Sequence, residues 1–128
     1  MAYALLRIVS GLMFSFHGMQ KVLGIMTEKP AAFGTQAWVG GIIELVAGLA
    51  IALGAWTVWA AFLASGTMAV AYTQFHWKLR FGEQLFPAVN KGELALLYAF
   101  LFLYIACHGA GIWSVDPKLG RGAGARRG

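Results

Sequence analysis

Four apolar runs, each close to the length of a bilayer crossing, constrain this chain more than any other feature. A spanning helix needs about 20 mostly apolar residues, because the hydrocarbon core is about 30 Å thick and a helix rises about 1.5 Å per residue. The runs are 3–23, 38–53, 57–77 and 93–111. They take up most of the 128 residues. The chain is 59% hydrophobic and 12% charged, with mean hydropathy +0.67. A soluble domain carries roughly 25% charged residues, and the deficit decides the class. The expected fold is all-α: an integral membrane four-helix bundle with a polar interior stripe.

The net charge of +5 does not mark a nucleic-acid binder. Half of the ten basic residues fall in the C-terminal tail or near helix ends, and no basic patch carries interleaved aromatics. The one cysteine, Cys107, forms no intramolecular disulfide, and the absence of a C-x-x-C pair excludes dithiol redox chemistry. The first apolar run is longer than a signal-peptide core and is closed by no small-residue cleavage site, so it reads as a retained span.

Gly54-Ala55-Trp56 joins the second and third runs as a tight hairpin. The connections 24–37 and 78–91 are longer and polar, and lie together on the other side of the membrane. Arg7, Lys118, Arg121, Arg126 and Arg127 sit on the side of the termini. Lys21, Lys29, Lys78, Arg80 and Lys91 sit on the loop side, a tie at five each. The expected orientation has both termini in the cytoplasm. Trp38, Trp56, Trp59, Trp77 and Trp113 all fall near span ends, as an aromatic belt does.

Glu44 is a carboxylate inside an apolar run, which costs at least ~2.5–3.5 kcal/mol unless it is paired, protonated or facing a wet cavity. At 100° per residue it shares a face with Ala37, Gly40, Gly41, Ala47 and Gly48, and opposes Val39, Ile42, Val46 and Leu49. Small residues mark helix contacts in membranes, so Glu44 is expected to point inward. On the first helix Arg7, Ser10, Gly11, Phe14, His17, Gly18 and Lys21 form one arc, opposite Leu5, Val9, Leu12 and Phe16. On the third, Tyr72 and His76 share a face with Ala61, Ser65 and Ala69. His17 and Glu44 both lie roughly 9 Å below the loop side, with Tyr72 near that level. Lys21, His76 and Glu93 form a shallower layer. The expected site is a polar pocket opening to the loop side, with Glu44 hydrogen-bonded near His17 and Lys21 near Glu93 or Glu44. Arg7, Tyr104, Cys107 and His108 form a separate group near the other side.

Each of these residues has a structural reading beside the functional one. Glu44 and His17 suit an interhelical hydrogen-bond network as well as a proton-transfer or ligand site. Asn90-Lys91-Gly92-Glu93 resembles a capping box, with Asn90 as N-cap and Glu93 three residues on. Lys21 at a helix end can snorkel to headgroups. No sequence-local spacing supports a metal site, and His17 and His76 differ too much in depth for a haem axial pair. No catalytic residue is assigned. The ligand-binding or network candidates are Glu44, His17, Lys21, Tyr72, His76, Glu93 and Arg7.

Leu6-Arg7 followed by His17-Gly18-Met19-Gln20-Lys21 resembles the first-helix signature of the DoxX family. Gly40-Gly41-Ile42-Ile43-Glu44 resembles its second-helix pattern of glycines before a glutamate, and the run 90–98 resembles its fourth-helix entry. Trp113-Ser114-Val115-Asp116 is similar to the segment that closes its core. The resemblance implies a four-helix domain over 1–116, followed by a basic Gly/Arg-rich tail over 117–128, in a bacterial cytoplasmic membrane. It marks Arg7, His17, Lys21, Glu44 and Glu93 as family-pattern positions. The family takes its name from likeness to the membrane subunit of a thiosulfate:quinone oxidoreductase.

Two functions fit. The first is a small, non-catalytic subunit or partner of a larger, redox-linked membrane complex, or a homo-oligomer. Its motivation is that no hydrophilic segment exceeds about 15 residues and no phosphate-binding glycine loop is present. The alternative is a quinone- or small-molecule-binding oxidoreductase component that uses a His17–Glu44 pocket. Quinone is the one cofactor contemplated, because its chemistry needs proton donors beside an apolar slot.

Overall fold

The computed structural model describes residues 1–79 and 81–116, so Arg80 and the basic tail lie outside the described residues. Among the described residues every regular element is helical. Helix α1 is Ala2–Leu23, α2 is Gln36–Leu53 and α3 is Thr57–Ala71, continued by a π-helical turn, Tyr72–Trp77. A 3₁₀ turn, Glu83–Leu85, and the short α4, Pro87–Asn90, lead to α5, Glu93–His108. By length and composition α1 and α2 are apolar enough to cross a membrane, while α5 is apolar but has 16 residues.

The ends have local causes. Gly24 and Gly54 terminate α1 and α2 with φ of 67° and 71°, a left-handed conformation that costs glycine nothing. Thr35 caps α2, its Oγ1 accepting from Trp38 N at 3.2 Å. The third run stays helical to Trp77 but widens after Ala71. Thr73 Oγ1 donates to Ala69 O at 2.8 Å, a bond that competes with the backbone ladder. Lys78 N then reaches Thr73 O, five residues back, at 2.8 Å. The fourth run stops at His108, short of Gly111, because Gly109 and Gly111 turn left-handed at φ 92° and 70°.

Helix α1 packs on α2, and α3 packs on α5. The first pair meets through glycine. A Cβ on Gly18 would sit 2.4 Å from Leu45 N, one on Gly48 2.5 Å from Ser15 N, and one on Gly11 2.6 Å from Ala52 N. The two backbones therefore touch, as small residues permit in membranes. The two pairs meet through bulk instead. Phe14 of α1 fills the centre against Phe102 and Tyr98 of α5, with ring centroids 4.7 and 5.5 Å away. Ile51, Ala61, Ala64, Met68 and Ile105 complete this core.

The outer surface is apolar. Leu5, Val9, Leu12 and Phe16 of α1 and Val39, Val46, Leu49 and Leu53 of α2 are exposed, while Arg7, Ser10, Ser15 and Glu44 are buried. Such an inversion over whole helix faces suits lipid and not water.

Candidate functional site

A groove of about 1110 Å³ runs between α2 and α3, floored by α1 and α5. It follows α3 from Trp59 to Ala71, about 18 Å at 1.5 Å per residue. Its walls there are Phe62, Leu63, Met68 and Val70, facing Val39 and Ile43 of α2. Its polar lining, toward the loop side, includes Lys21, His17, Glu44, His76, Lys91 and Tyr98. Gln36 and Gln74 are hydrogen-bonded side chain to side chain there, tying the start of α2 to the π turn.

Glu44 is 2% exposed, in the middle of α2. Lys21, in the last turn of α1, donates from Nζ to Glu44 Oε1 at 2.6 Å. Gly41 makes this reach available, since a Cβ there would lie 2.8 Å from Lys21 Cβ. The Lys21 side chain is 40% exposed, so the pair joins a buried carboxylate to the groove mouth. Glu44 Oε2 is buried with no hydrogen-bond partner. Tyr98, 4% exposed, likewise presents a buried hydroxyl without a partner. The half-buried His17 ring stands edge-on to Tyr98, with centroids 6.3 Å apart.

Of the residues singled out in the sequence, Glu44, Lys21, His17 and His76 come together in this groove. Glu44 is bonded to Lys21 rather than to His17. Tyr72 is engaged elsewhere, its hydroxyl accepting from Asn90 Nδ2 at 3.1 Å. Glu93 is exposed as the first residue of α5, where Gly92 is the N-cap. The capping-box reading fails because Asn90 ends its own short helix, and its Oδ1 accepts from Gly92 N at 2.9 Å. Gly92 is pressed on the π turn, where a Cβ would meet the Tyr72 ring at 2.7 Å. Tyr98 was missed as a site residue. Its signal is a tyrosine deep in an apolar helix, whose hydroxyl needs a partner when buried.

Arg7 lies at the opposite end and is fully buried. Its Nη1 donates to Ile51 O and Ala52 O at 2.7 and 2.8 Å, carbonyls of the last turn of α2. Its Nη2 donates to Ile112 O and Trp113 O at 3.1 and 2.7 Å. Asp116 completes the closure. Its carboxylate accepts from Trp56 N at 2.6 Å and Thr57 N at 3.0 Å, capping α3 and holding Trp56 at φ 48°. Tyr3 hydroxyl donates to Gly109 O, and the Tyr3 ring lies 3.7 Å from that of His108.

The DoxX family profile matches residues 2–77. An uncharacterized protein of Haemophilus influenzae (strain ATCC 51907 / DSM 11121 / KW20 / Rd) is 44% identical over 119 residues, covering 90% of this chain and 88% of that relative. No solved structure matches. The profile spans more than half of the chain and the relative nearly all of it, over helices that are apolar outside and polar within: the chain is a membrane protein of the DoxX family.

Proposed function

We propose that the groove between α2 and α3 binds a neutral lipophilic molecule of the quinone class, with its head at the Glu44–Tyr98 end. The reading includes a four-helix bundle of α1, α2, α3 with its π turn, and α5, spanning a bacterial cytoplasmic membrane with both termini in the cytoplasm. The observation that carries it is the pair of buried, unpartnered polar atoms, Glu44 Oε2 and Tyr98 hydroxyl, on residues that line a groove whose length along α3 is walled mostly by apolar side chains. Each such atom costs about 1–3 kcal/mol when left unmade, so a polar head is the natural complement. The residues present fit a quinone: hydrogen-bonding groups at one end and a long apolar slot for its tail. Bound there, a quinone supplies two-electron redox chemistry, while this chain supplies the slot, the hydrogen bonds and the exclusion of water.

The test uses the purified full chain in lipid nanodiscs, titrated with a decyl-substituted benzoquinone. Saturable binding is expected. Gly66 lines the groove and a Cβ there meets nothing within 4 Å, so Gly66→Leu projects a side chain into the slot. That variant is expected to keep its melting temperature and lose binding. Binding that is not saturable, or that survives in Gly66→Leu, removes the reading.

A second reading, a non-catalytic subunit of a larger redox-linked complex, has its own support. Gly40 and Gly66 both line the groove and have nothing within 4 Å of a Cβ, as an unfilled helix-contact face has. Extraction of native membranes in mild detergent, followed by native gel and mass spectrometry, separates the two. A stoichiometric large partner favours the subunit, and a lone chain favours the ligand groove.

A further inference from the structure

The polar end of the groove has a hydrogen-bonding polarity, and that polarity selects an oxidation state. Lys21 Nζ occupies Glu44 Oε1 at 2.6 Å, and the two charges cancel. The remaining oxygen, Oε2, is buried and unpartnered. An ionised carboxylate only accepts hydrogen bonds, so whatever meets Oε2 must bring a hydrogen. The Tyr98 hydroxyl, also buried and unpartnered, donates to an oxygen.

A hydroxyl head satisfies both atoms, giving its hydrogen to Glu44 Oε2 and accepting the Tyr98 hydrogen on its oxygen. A carbonyl head can accept from Tyr98 but brings Oε2 no hydrogen, and it sets its oxygen lone pairs against the carboxylate. Resting on the ligand reading above, we infer that the groove takes the hydroxyl-bearing, reduced form of its lipophile, a hydroquinone, in preference to the quinone. Glu44 is the residue that discriminates, and Tyr98 holds the head in either form.

The test compares a matched pair, decyl-benzoquinol held anaerobically with reductant and decyl-benzoquinone in air. Dissociation constants are measured calorimetrically on the full chain in nanodiscs, with Gly66→Leu discs as the partition blank. The quinol is expected to bind about tenfold tighter or more, the size of one hydrogen bond to a charged group. Tyr98→Phe should weaken both forms about fivefold and leave their ratio standing, since a neutral hydrogen bond is lost from each. Glu44→Gln should bring the ratio close to one, because an amide can turn its N–H to a carbonyl. Equal binding, or tighter quinone binding, in the native chain overturns the inference and leaves the ligand reading intact. A preference that persists in folded Glu44→Gln also overturns it. If neither form binds above the blank, the ligand reading itself falls. Should Glu44→Gln not fold, the native ratio and Tyr98→Phe decide.

Discussion

At the scale of the residue, the Lys21–Glu44 pair is the point of greatest electrostatic tension. Its members are unequal: the Glu44 side chain is enclosed, whereas the Lys21 side chain is partly exposed. Removing the lysine strands a buried carboxylate, for which about 3–5 kcal/mol is the usual cost, and water at the groove mouth brings the expectation to the lower end. Lys21→Met should therefore melt well below the native chain in detergent. The double variant Lys21→Met/Glu44→Gln should recover much of that loss, because a neutral amide in place of the carboxylate needs no counterion. Equal melting of the single and double variants would show that the pair contributes nothing to the fold. Glu44 stood out in the sequence because a charge in an apolar run demands compensation. Lys21 near Glu44 was one of two pairings the sequence left open, and the choice between them, with His17 set aside, depends on a lysine stem lying across Gly41, which is a matter of helix contact and not of spacing.

At the scale of the element, glycines divide into two kinds that composition cannot separate. Gly11, Gly18 and Gly48 lie where α1 and α2 touch backbone to backbone, while Gly66 faces open space. Gly18→Ala and Gly48→Ala should each destabilise by about 1–3 kcal/mol, the range for forcing a methyl into a packed interface. Gly66→Ala should stabilise by about 0.4–1 kcal/mol, because it only restricts the unfolded chain. Thermal melts of the three variants in one detergent check the sign directly. The helical periodicity placed the small-residue face of α2 inward, and that much was readable. Which helix would press on it was not. Nor was Tyr98 readable as a groove residue, since in one dimension it is a tyrosine within a leucine-rich run. The end of α5 was extended too far for a similar reason: the apolar run continues past His108, whereas the chain turns at Gly109.

At the scale of the whole molecule, the ends of the bundle differ in character. One end holds the polar part of the groove, the ion pair and the long connections. The other holds the α2–α3 turn, the chain's start and the segment 112–116, knitted by Arg7 and Asp116. The tied count of basic residues made orientation hard to read, and the tail that contributes to it lies outside the described residues. The proposed topology predicts that a green fluorescent protein fused at the C-terminus fluoresces, and that an alkaline phosphatase fused there stays inactive. The reverse pattern would turn the groove's polar end toward the cytoplasm.

The Asp116 cap also sets an order of events. Trp56 and Thr57 begin α3, and their amide hydrogens are met by a carboxylate made about 60 residues later. Until that residue leaves the ribosome, the α2–α3 turn carries open donors, and Arg7 lacks half of its carbonyls. A nascent chain can thus have all its helices and still be unsealed at one end. The seal comes only when the segment 112–116 docks on the first-made half, so a chain cut short at 111 leaves Arg7 with two of its four carbonyl partners and α3 without its carboxylate cap.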